Sequence, residues 1–167
     1  MQITTRLIKE LRQKTSAGVM ECKDALEETK GDLDKACEVL RERGLAKAEK
    51  KKDRIASQGL VEAYVHHGGR IGAMVEVNCE TDFVAKTDEF KSLAHDLVLQ
   101  VVATDPQFIS ADQVPGDAGL SPEEVCLLDQ PFIRDEAKKV GDLVTEVIAK
   151  LGEKVIVRRF ARFELGG

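Results

Sequence analysis

The sequence predicts an α+β protein in which a three-helix module precedes a small antiparallel sheet covered on one face by helices. Three observations predict this class. Residues 1–44 carry short helical repeats of apolar residues, two strand-like runs flank Gly68-Gly69, and a long helical repeat precedes a β-branched run at 154–164. Strands placed before and after helices, rather than alternating with them, favour helices gathered on one face of a sheet.

The composition is typical of a helix-rich globular protein. The 167 residues are 43% apolar but only 4% aromatic, with no Trp, so the core is expected to be mainly aliphatic. The formal net charge of −5 argues against nucleic-acid binding by the chain as a whole. The N-terminus has no secretory apolar run, and no stretch has membrane-spanning length, so we expect a soluble cytoplasmic protein without a membrane partner.

The first 44 residues predict three short helices. Apolar residues recur every three or four positions in each, and turn-forming residues at 15–18 separate the first helix from the second. Asp32 is the predicted N-cap of the third helix, and Gly44 is predicted to end it. Each helix is too short to be stable alone, so the three are expected to pack as a minimal bundle.

A basic segment follows the module. Between Arg41 and Arg54 there are seven basic and three acidic residues. A solvated connector is one interpretation, and a patch that binds RNA or a partner protein is the other. We therefore divide the chain into a module at 1–44, a charged linker or helix at 45–58 and a core domain at 59–167.

The core domain begins with a predicted hairpin. The strands Leu60–His67 and Ile71–Cys79 flank Gly68-Gly69, which suit the positive φ angles of a tight turn. One face of the hairpin is expected to be buried and the other mixed, because Val61, Ala63 and Val65 alternate with Glu62, Tyr64 and His66.

Two core helices and a closing strand complete the predicted domain. Thr87 is a predicted N-cap for the strongest helical repeat in the chain, which Asp105-Pro106 should end and which should lie across the hairpin. Residues 106–122 are expected to form a loop, with a short helix from Ser121. A second core helix over 140–151 should end at Gly152, and residues 154–164 should form a third strand.

The sequence predicts no cofactor, no metal site and no catalytic residues. It contains neither a phosphate-binding GxxxxGK[ST] loop nor a GxGxxG that opens a helix, and none of its four cysteines forms a CxxC pair. His66 and His67 are adjacent on a strand, so their side chains should point to opposite faces. A cysteine hydrolase built from Cys79, His66 and Asp82 is a weaker alternative, since no nucleophile motif surrounds Cys79.

Two apolar features leave both a structural and a functional interpretation open. Val19-Met20 begins the second helix and could belong to the bundle core or to a contact surface. Phe83 lies seven residues before Phe90, so a continuous helix would bury both. A fresh helix start at Thr87 would instead leave Phe83 at an exposed corner, where an aromatic side chain suggests a partner.

The chain resembles the elongation factor Ts family, the exchange factors of the GTPase elongation factor Tu. The segment LIKELRQKTSAGVMECKDALEETKGDLDKACEVLRERG is similar to the family's ubiquitin-associated-like N-terminal module. The segment VEVNCETDFVAK contains the family's Thr-Asp-Phe-Val motif, and VIVRRFARFELG is similar to its closing strand. The length suggests the short class of the family, with one copy of the core.

The resemblance implies a function in translation elongation without bond-making chemistry. It implies GDP-bound and nucleotide-free elongation factor Tu as partners and no direct nucleic-acid binding. Thr81, Asp82, Phe83 and Val84 would disturb the magnesium site of the GTPase, and Val19 and Met20 would contact one of its helices. Short members are expected to dimerise through the sheet, although the cysteine expected in some closing strands is missing at 159–163.

Overall fold

The computed structural model describes residues 3–116 and 118–167 and shows the predicted α+β class. The helices are α1 (Thr5–Thr15), α2 (Val19–Glu28), α3 (Leu33–Glu49), α4 (Asp82–Ala85), α5 (Asp88–Thr104), α6 (Pro122–Val125) and α7 (Val140–Leu151). The strands are β1 (Gln58–Val65), β2 (Ile71–Cys79), β3 (Pro131–Phe132), β4 (Asp135–Lys139) and β5 (Val155–Glu164). A short 3-10 helix covers Ala111–Gln113.

The chain forms two compact units. The first contains the residues up to Asp53 together with Thr145–Glu153, and the second contains Arg54–Val144 and Lys154–Gly167. The second half of α7 thus belongs to the first unit. The functional division into domains at 1–44, 45–58 and 59–167 stays a prediction.

The first unit is built around α1, α2 and α3. Its fully buried side chains are Leu11, Cys22, Ala25, Leu26 and Ala36. Asp32 caps α3 as predicted, because its carboxylate accepts the N–H of Lys35 at 3.1 Å. The three N-terminal helices of the prediction are confirmed.

The predicted end of the third helix at Gly44 was wrong. Gly44 is buried inside α3, which continues to Glu49. A Cβ at Gly44 would lie 3.2 Å from the methyl group of Thr145, so this glycine permits close packing instead of ending the helix. The residues that follow it are good helix formers and carry the helix on.

The second unit contains a three-stranded antiparallel sheet in the order β1-β2-β5. The predicted hairpin turn is confirmed, with φ angles of 90° at Gly68 and 70° at Gly69. The closing strand pairs with β2 along its length, from Val155 opposite Cys79 to Glu164 opposite Ile71. The end of β2, the beginning of β1 and the beginning of β5 therefore meet at one end of the sheet.

Helix α5 packs on one face of this sheet, as predicted. Thr87 caps it by accepting the N–H of Phe90 at 3.3 Å. The buried residues of α5 include Phe90, Leu93, Ala94, Leu97, Val98 and Val101, and those of β2 include Val75 and Val77. The aliphatic core expected from the composition lies between them.

The burial expected for β1 was only partly correct. The face that packs toward α5 carries Leu60, Glu62 and Tyr64, which lie opposite buried residues of β2. The more apolar face, with Val61, Ala63 and Val65, is exposed. Apolar alternation therefore identified the strand but not its buried side. The apolar face of β1 lies on the side of the sheet that α5 does not cover.

The segment between the core helices holds structure that the sequence did not predict. The strands β3 and β4 form a small antiparallel pair after α6. The short helix after Ser121 is confirmed, as is the end of α7 at Gly152, where φ is 76°. Within the described residues, no helix combines the length and the apolarity that a membrane crossing requires.

Candidate partner-binding site

Residues 80–87, which we call the corner, join β2 to α5. The corner contains α4, a helix of only four residues whose N-cap Thr81 accepts the N–H of Val84 at 3.4 Å. Thr87 then starts α5, so α4 and α5 are separate helices. The predicted break between the Thr-Asp-Phe-Val motif and the long helix is confirmed.

This break exposes Phe83. Its side chain is 79% exposed, whereas the next two residues, Val84 and Ala85, are each only 9% exposed. Val84 and Ala85 anchor the corner to the protein, and Phe83 points away from it. The interpretation of Phe83 as a core residue was therefore wrong.

Hydrogen bonds fix the backbone of the corner from three sides. The thiol of Cys79 donates to the carbonyl of Thr81 at 3.1 Å. The hydroxyl of Thr87 donates to the carbonyl of Val84 at 2.7 Å. The backbone N–H of Lys154, just before β5, donates to the carboxylate of Glu80 at 2.7 Å. A four-residue helix has little stability of its own, so these contacts hold Phe83 in place.

Asp82 carries a negative charge at the edge of the corner. Its carboxylate lies 2.8 Å from the ammonium group of Lys86, one helical turn away. The hydrogen bond from Lys86 lowers the pKa of the Asp82 carboxyl below its ordinary value, so it is ionised at neutral pH. Asp82 is exposed and remains available to a partner.

Val19 and Met20 form a second exposed apolar pair, in the first compact unit. They are 50% and 62% exposed and occupy the first turn of α2, so their interpretation as bundle core was wrong. The N–H of Gly18 donates to the carboxylate of Glu21 at 3.1 Å, so the N3 side chain of α2 satisfies the N-cap backbone beside the pair. Glu21 also pairs with Lys47 of α3, and the hydrogen bond from Lys47 lowers the pKa of Glu21.

The basic segment is less suited to RNA than its composition suggested. Most of its positive charges are paired with carboxylates, and phosphates would have to displace them. The pairs are Arg41–Glu38, Arg43–Glu28, Lys47–Glu21, Lys52–Glu49 and Arg54–Glu80. The first four pairs lie within the first compact unit, and Arg54–Glu80 lies within the second. This pairing favours the interpretation of the basic segment as a connector.

The hydrolase alternative is excluded by the strand geometry. Cys79 and His66 lie at opposite ends of the hairpin, since the N–H of His66 bonds to Ile71 at the far end of β2. Cys79 is fully buried. Across residues 3–116 and 118–167, no cluster of three His, Cys, Asp or Glu side chains could hold a metal ion, and the cysteines form no disulfide.

The fold and these exposed residues define a class of protein: a three-helix module joined to an α+β unit, with exposed apolar residues at the starts of α2 and α4. The family model described as "Elongation factor TS" matches residues 3–121. The chain belongs to the elongation factor Ts family, and it is therefore a translation elongation factor that serves protein biosynthesis.

Curated relatives match nearly the whole chain. Elongation factor Ts of Carboxydothermus hydrogenoformans is 49% identical over 194 residues, covering 98% of this chain and 89% of the relative. The proteins of the same name from Heliobacterium modesticaldum and Caldanaerobacter subterraneus subsp. tengcongensis are 47% and 46% identical. They cover 98% of this chain and 90% and 97% of the relatives. The aligned stretches exceed the 167 residues of this chain, so the relatives carry internal residues that it lacks.

The motif residues Thr81, Asp82, Phe83 and Val84 lie together in the corner, and Val19 and Met20 lie together at the start of α2. Sequence reasoning missed the residues that hold the corner, namely Cys79, Glu80 and Lys154. No local pattern could have revealed Lys154, because it is 74 positions from its partner Glu80.

Proposed function

We propose that this chain binds GDP-bound elongation factor Tu and accelerates the release of GDP, so that GTP can bind in its place. The observation that carries this proposal is the exposure of Phe83 on a firmly held corner. A bulky apolar side chain in water gains free energy when a partner buries it, and a fixed position reduces the entropy lost on binding.

The corner suits a wedge mechanism. Mg²⁺ requires nearly ideal octahedral geometry and bridges a GTPase to the phosphates of its nucleotide. A side chain that shifts the supporting residues of the GTPase by a fraction of an ångström to a few ångströms would weaken this coordination. In this mechanism Phe83 is the wedge, Asp82 is its charged neighbour, and Thr81 and Val84 hold the turn.

Nucleotide and exchange factor then oppose each other's binding. The coupling free energy that lowers the affinity for GDP must lower the affinity for this chain by the same factor when GDP is bound. The nucleotide-free GTPase is therefore the tightest-binding partner. No bond is made or broken, and the chain needs no cofactor for this function, which we expect to take place in the cytoplasm.

Val19 and Met20 provide a second contact with the same GTPase. Both project from the first turn of α2, next to the charged pair of Glu21 and Lys47. An exposed Met adapts to the surface of a partner. This contact would supply affinity, whereas the corner would supply the disturbance of the nucleotide site.

The test is the release of a fluorescent GDP analogue from elongation factor Tu. The wild type should accelerate release, and Phe83→Ala should slow the accelerated rate by about 30-fold or more, as for loss of a central aromatic contact. Because Phe83 is exposed, its substitution should change the stability by less than about 0.5 kcal/mol.

Leu165→Ala is the matched control, because Leu165 is 66% exposed and its N–H bonds to Arg70 near the hairpin turn, far from the corner. It should release GDP as fast as the wild type. Equal activity of the Phe83→Ala variant would contradict the wedge, and a folded wild type without activity would contradict the function.

We also propose that the chain forms a homodimer through the uncovered face of the sheet. Among the residues that the structure describes, this open face carries mainly apolar side chains together with an ion pair between Arg159 and Glu76 at 2.7 Å. Its exposed apolar residues are Val61, Ala63, Val65, Met74, Ala161 and Phe163. A second copy would remove this surface from water.

Light scattering tests the dimer. The wild type should have twice the mass of its 18.4 kDa chain, and Met74→Lys should reduce it to one chain by placing a charge at the centre of the face. Glu136→Lys, on the exposed part of β4, is the control and should stay dimeric. A monomeric wild type would contradict this proposal.

A further inference from the structure

Ile55 is the most exposed large apolar side chain in the described part of the chain. It is 82% exposed, slightly more than Phe83. Single exposed apolar residues are common on protein surfaces, so exposure alone would carry no functional meaning. What distinguishes Ile55 is how firmly the residues on both sides of it are held.

Both neighbours of Ile55 are bonded to the strand end that leads into the corner. The guanidinium of Arg54 lies 3.3 Å from the carboxylate of Glu80. The carbonyl of Ala56 accepts a hydrogen bond from the side-chain amide of Asn78 at 3.3 Å. Asn78 is buried, so its amide is a fixed donor.

A third segment joins the same network. The ammonium group of Lys154 donates to the carbonyl of Arg54 at 3.0 Å, while the backbone N–H of Lys154 bonds to Glu80. The backbone on each side of Ile55 is thus tied to β2 and to the start of β5. Ile55 cannot turn inward without breaking these bonds, and its exposure is a built feature of the fold.

Ile55 and Phe83 project from the same end of the sheet. Gln58 pairs with Cys79, which places the start of β1 beside the end of β2. Ile55 precedes Gln58 by three residues, which span about 10 Å when extended. Phe83 follows Cys79 by four residues, and its helix α4 packs against β1. Both side chains are therefore within reach of one partner surface of ordinary size.

We propose that Ile55 is a second apolar contact of the corner and packs on the GTPase surface beside the region that receives Phe83. This inference rests on the proposed function. The residues that hold Phe83 also hold Ile55, since Glu80 and Lys154 serve both. The partner should present an apolar patch next to its nucleotide site, and burial of Ile55 there contributes affinity instead of displacing the magnesium ion.

The experiment measures GDP release over a range of factor concentrations for the wild type, Ile55→Ser and Phe83→Ala. Ile55→Ser should raise the concentration needed for half-maximal acceleration by about tenfold, the effect of losing one buried apolar side chain. It should leave the maximal rate and the melting temperature unchanged. Ile55→Met should behave as the wild type, because it keeps the apolar contact.

Leu165→Ser is the matched control, since it removes an exposed apolar side chain at the opposite end of the sheet. Its concentration dependence should equal that of the wild type. If Ile55→Ser also equals the wild type while Phe83→Ala is slow, this inference is overturned and the proposed function stands. A lower melting temperature of Ile55→Ser than of Leu165→Ser would assign Ile55 a structural role instead. No acceleration by the folded wild type would overturn the proposed function itself, and Ile55 with it.

Discussion

The two candidate contact regions use the same local geometry with different support. Val19 and Met20 are the first two residues of α2, and Asp82 and Phe83 are the first two residues of α4. Side chains of a helix tilt toward its N-terminus, so those in the first turn can extend past the part of the helix that is packed. The N-cap fixes the direction of the chain at this point. Each region thus presents an apolar residue at a helix start.

The support of α2 is local. This helix has ten residues, and its own Cys22, Ala25 and Leu26 are fully buried in the bundle core. The N–H of its N-cap Gly18 bonds to Glu21, a residue only three positions away. Most of what positions Val19 and Met20 therefore lies within one short stretch of sequence.

The support of α4 is distant. Four residues cannot form a stable helix alone, and the corner depends on Glu80, whose carboxylate bonds to Lys154 and Arg54. The comparison indicates that the N-terminal contact should survive damage to the sheet, whereas the corner should not. Four substitutions test this difference, in order of decreasing effect.

Gly59→Ala should have the largest effect. Gly59 has a φ of 144°, and a Cβ there would lie 2.0 Å from the carbonyl oxygen of Val77. The start of β1 must then separate from β2 beside the corner. We expect a loss of about 3 kcal/mol or more in the stability of the second unit and a loss of exchange activity.

Thermal melting followed by a separate fluorescent probe in each unit measures this effect. The first unit should keep its melting transition, since its core contains no residue of β1 or β2. Gly116→Ala is the control, because a Cβ at Gly116 meets nothing within 4 Å. Equal melting of Gly59→Ala and Gly116→Ala would show that the corner does not depend on this strand pairing.

Met20→Ser should come next and should affect binding alone. Met20 is exposed, so the melting temperature should not change, whereas loss of its burial against a partner should weaken binding about tenfold. Titration calorimetry with nucleotide-free elongation factor Tu measures the affinity. The maximal rate of GDP release should stay that of the wild type, and a lowered maximal rate would remove the distinction between the two regions.

Thr81→Ala should have a smaller effect on the corner. It removes the cap that accepts the N–H of Val84 at 3.4 Å, a long hydrogen bond, so we expect a loss of about 0.5 to 1 kcal/mol. The corner should then exchange its amide hydrogens faster. Thr81→Ser keeps the hydroxyl and should restore slow exchange, whereas equal exchange in both variants would show that Val84 and Ala85 hold the corner without the cap.

The parts of this fold that the sequence predicted correctly depend on local signals. The Gly68-Gly69 turn and the Thr87 cap follow from the preferences of those residues, and both are where the pattern places them. The end predicted at Gly44 failed because the decisive contact, with Thr145, is a hundred positions away. A glycine that ends a helix and one that permits close packing look alike in a sequence.

The candidate site shows the same limit. Its motif residues could be named from the sequence, and the break before Thr87 indicated that Phe83 is exposed. The exposure of Ile55 could not be predicted, because it depends on bonds from Asn78 and Glu80 to the backbone and side chain of its neighbours. The prediction for β1 was only partly correct for a related reason. Alternation shows which face of a strand is apolar, but it does not show which face another element covers.

Glu21→Gln should have the smallest effect, and its pH dependence tests the local support of α2. Lys47 lowers the pKa of Glu21 below its ordinary value of 4.5, so the folded state favours the ionised carboxylate. A lowered pKa stabilises the folded state at pH values above 4.5, and this contribution disappears as the pH falls through the lower folded-state pKa.

The side chains of Glu21 and Lys47 are both about 40% exposed, so this contribution is about 0.5 kcal/mol or less and decreases with salt. Wild type and Glu21→Gln should therefore differ slightly in melting temperature at pH 7 and converge as the pH falls through the lowered pKa of Glu21. Equal melting temperatures at pH 7 and at low pH would assign the role of Glu21 to its cap on Gly18, which an uncharged side chain can also provide, and the first turn of α2 would then owe nothing to the ion pair with α3.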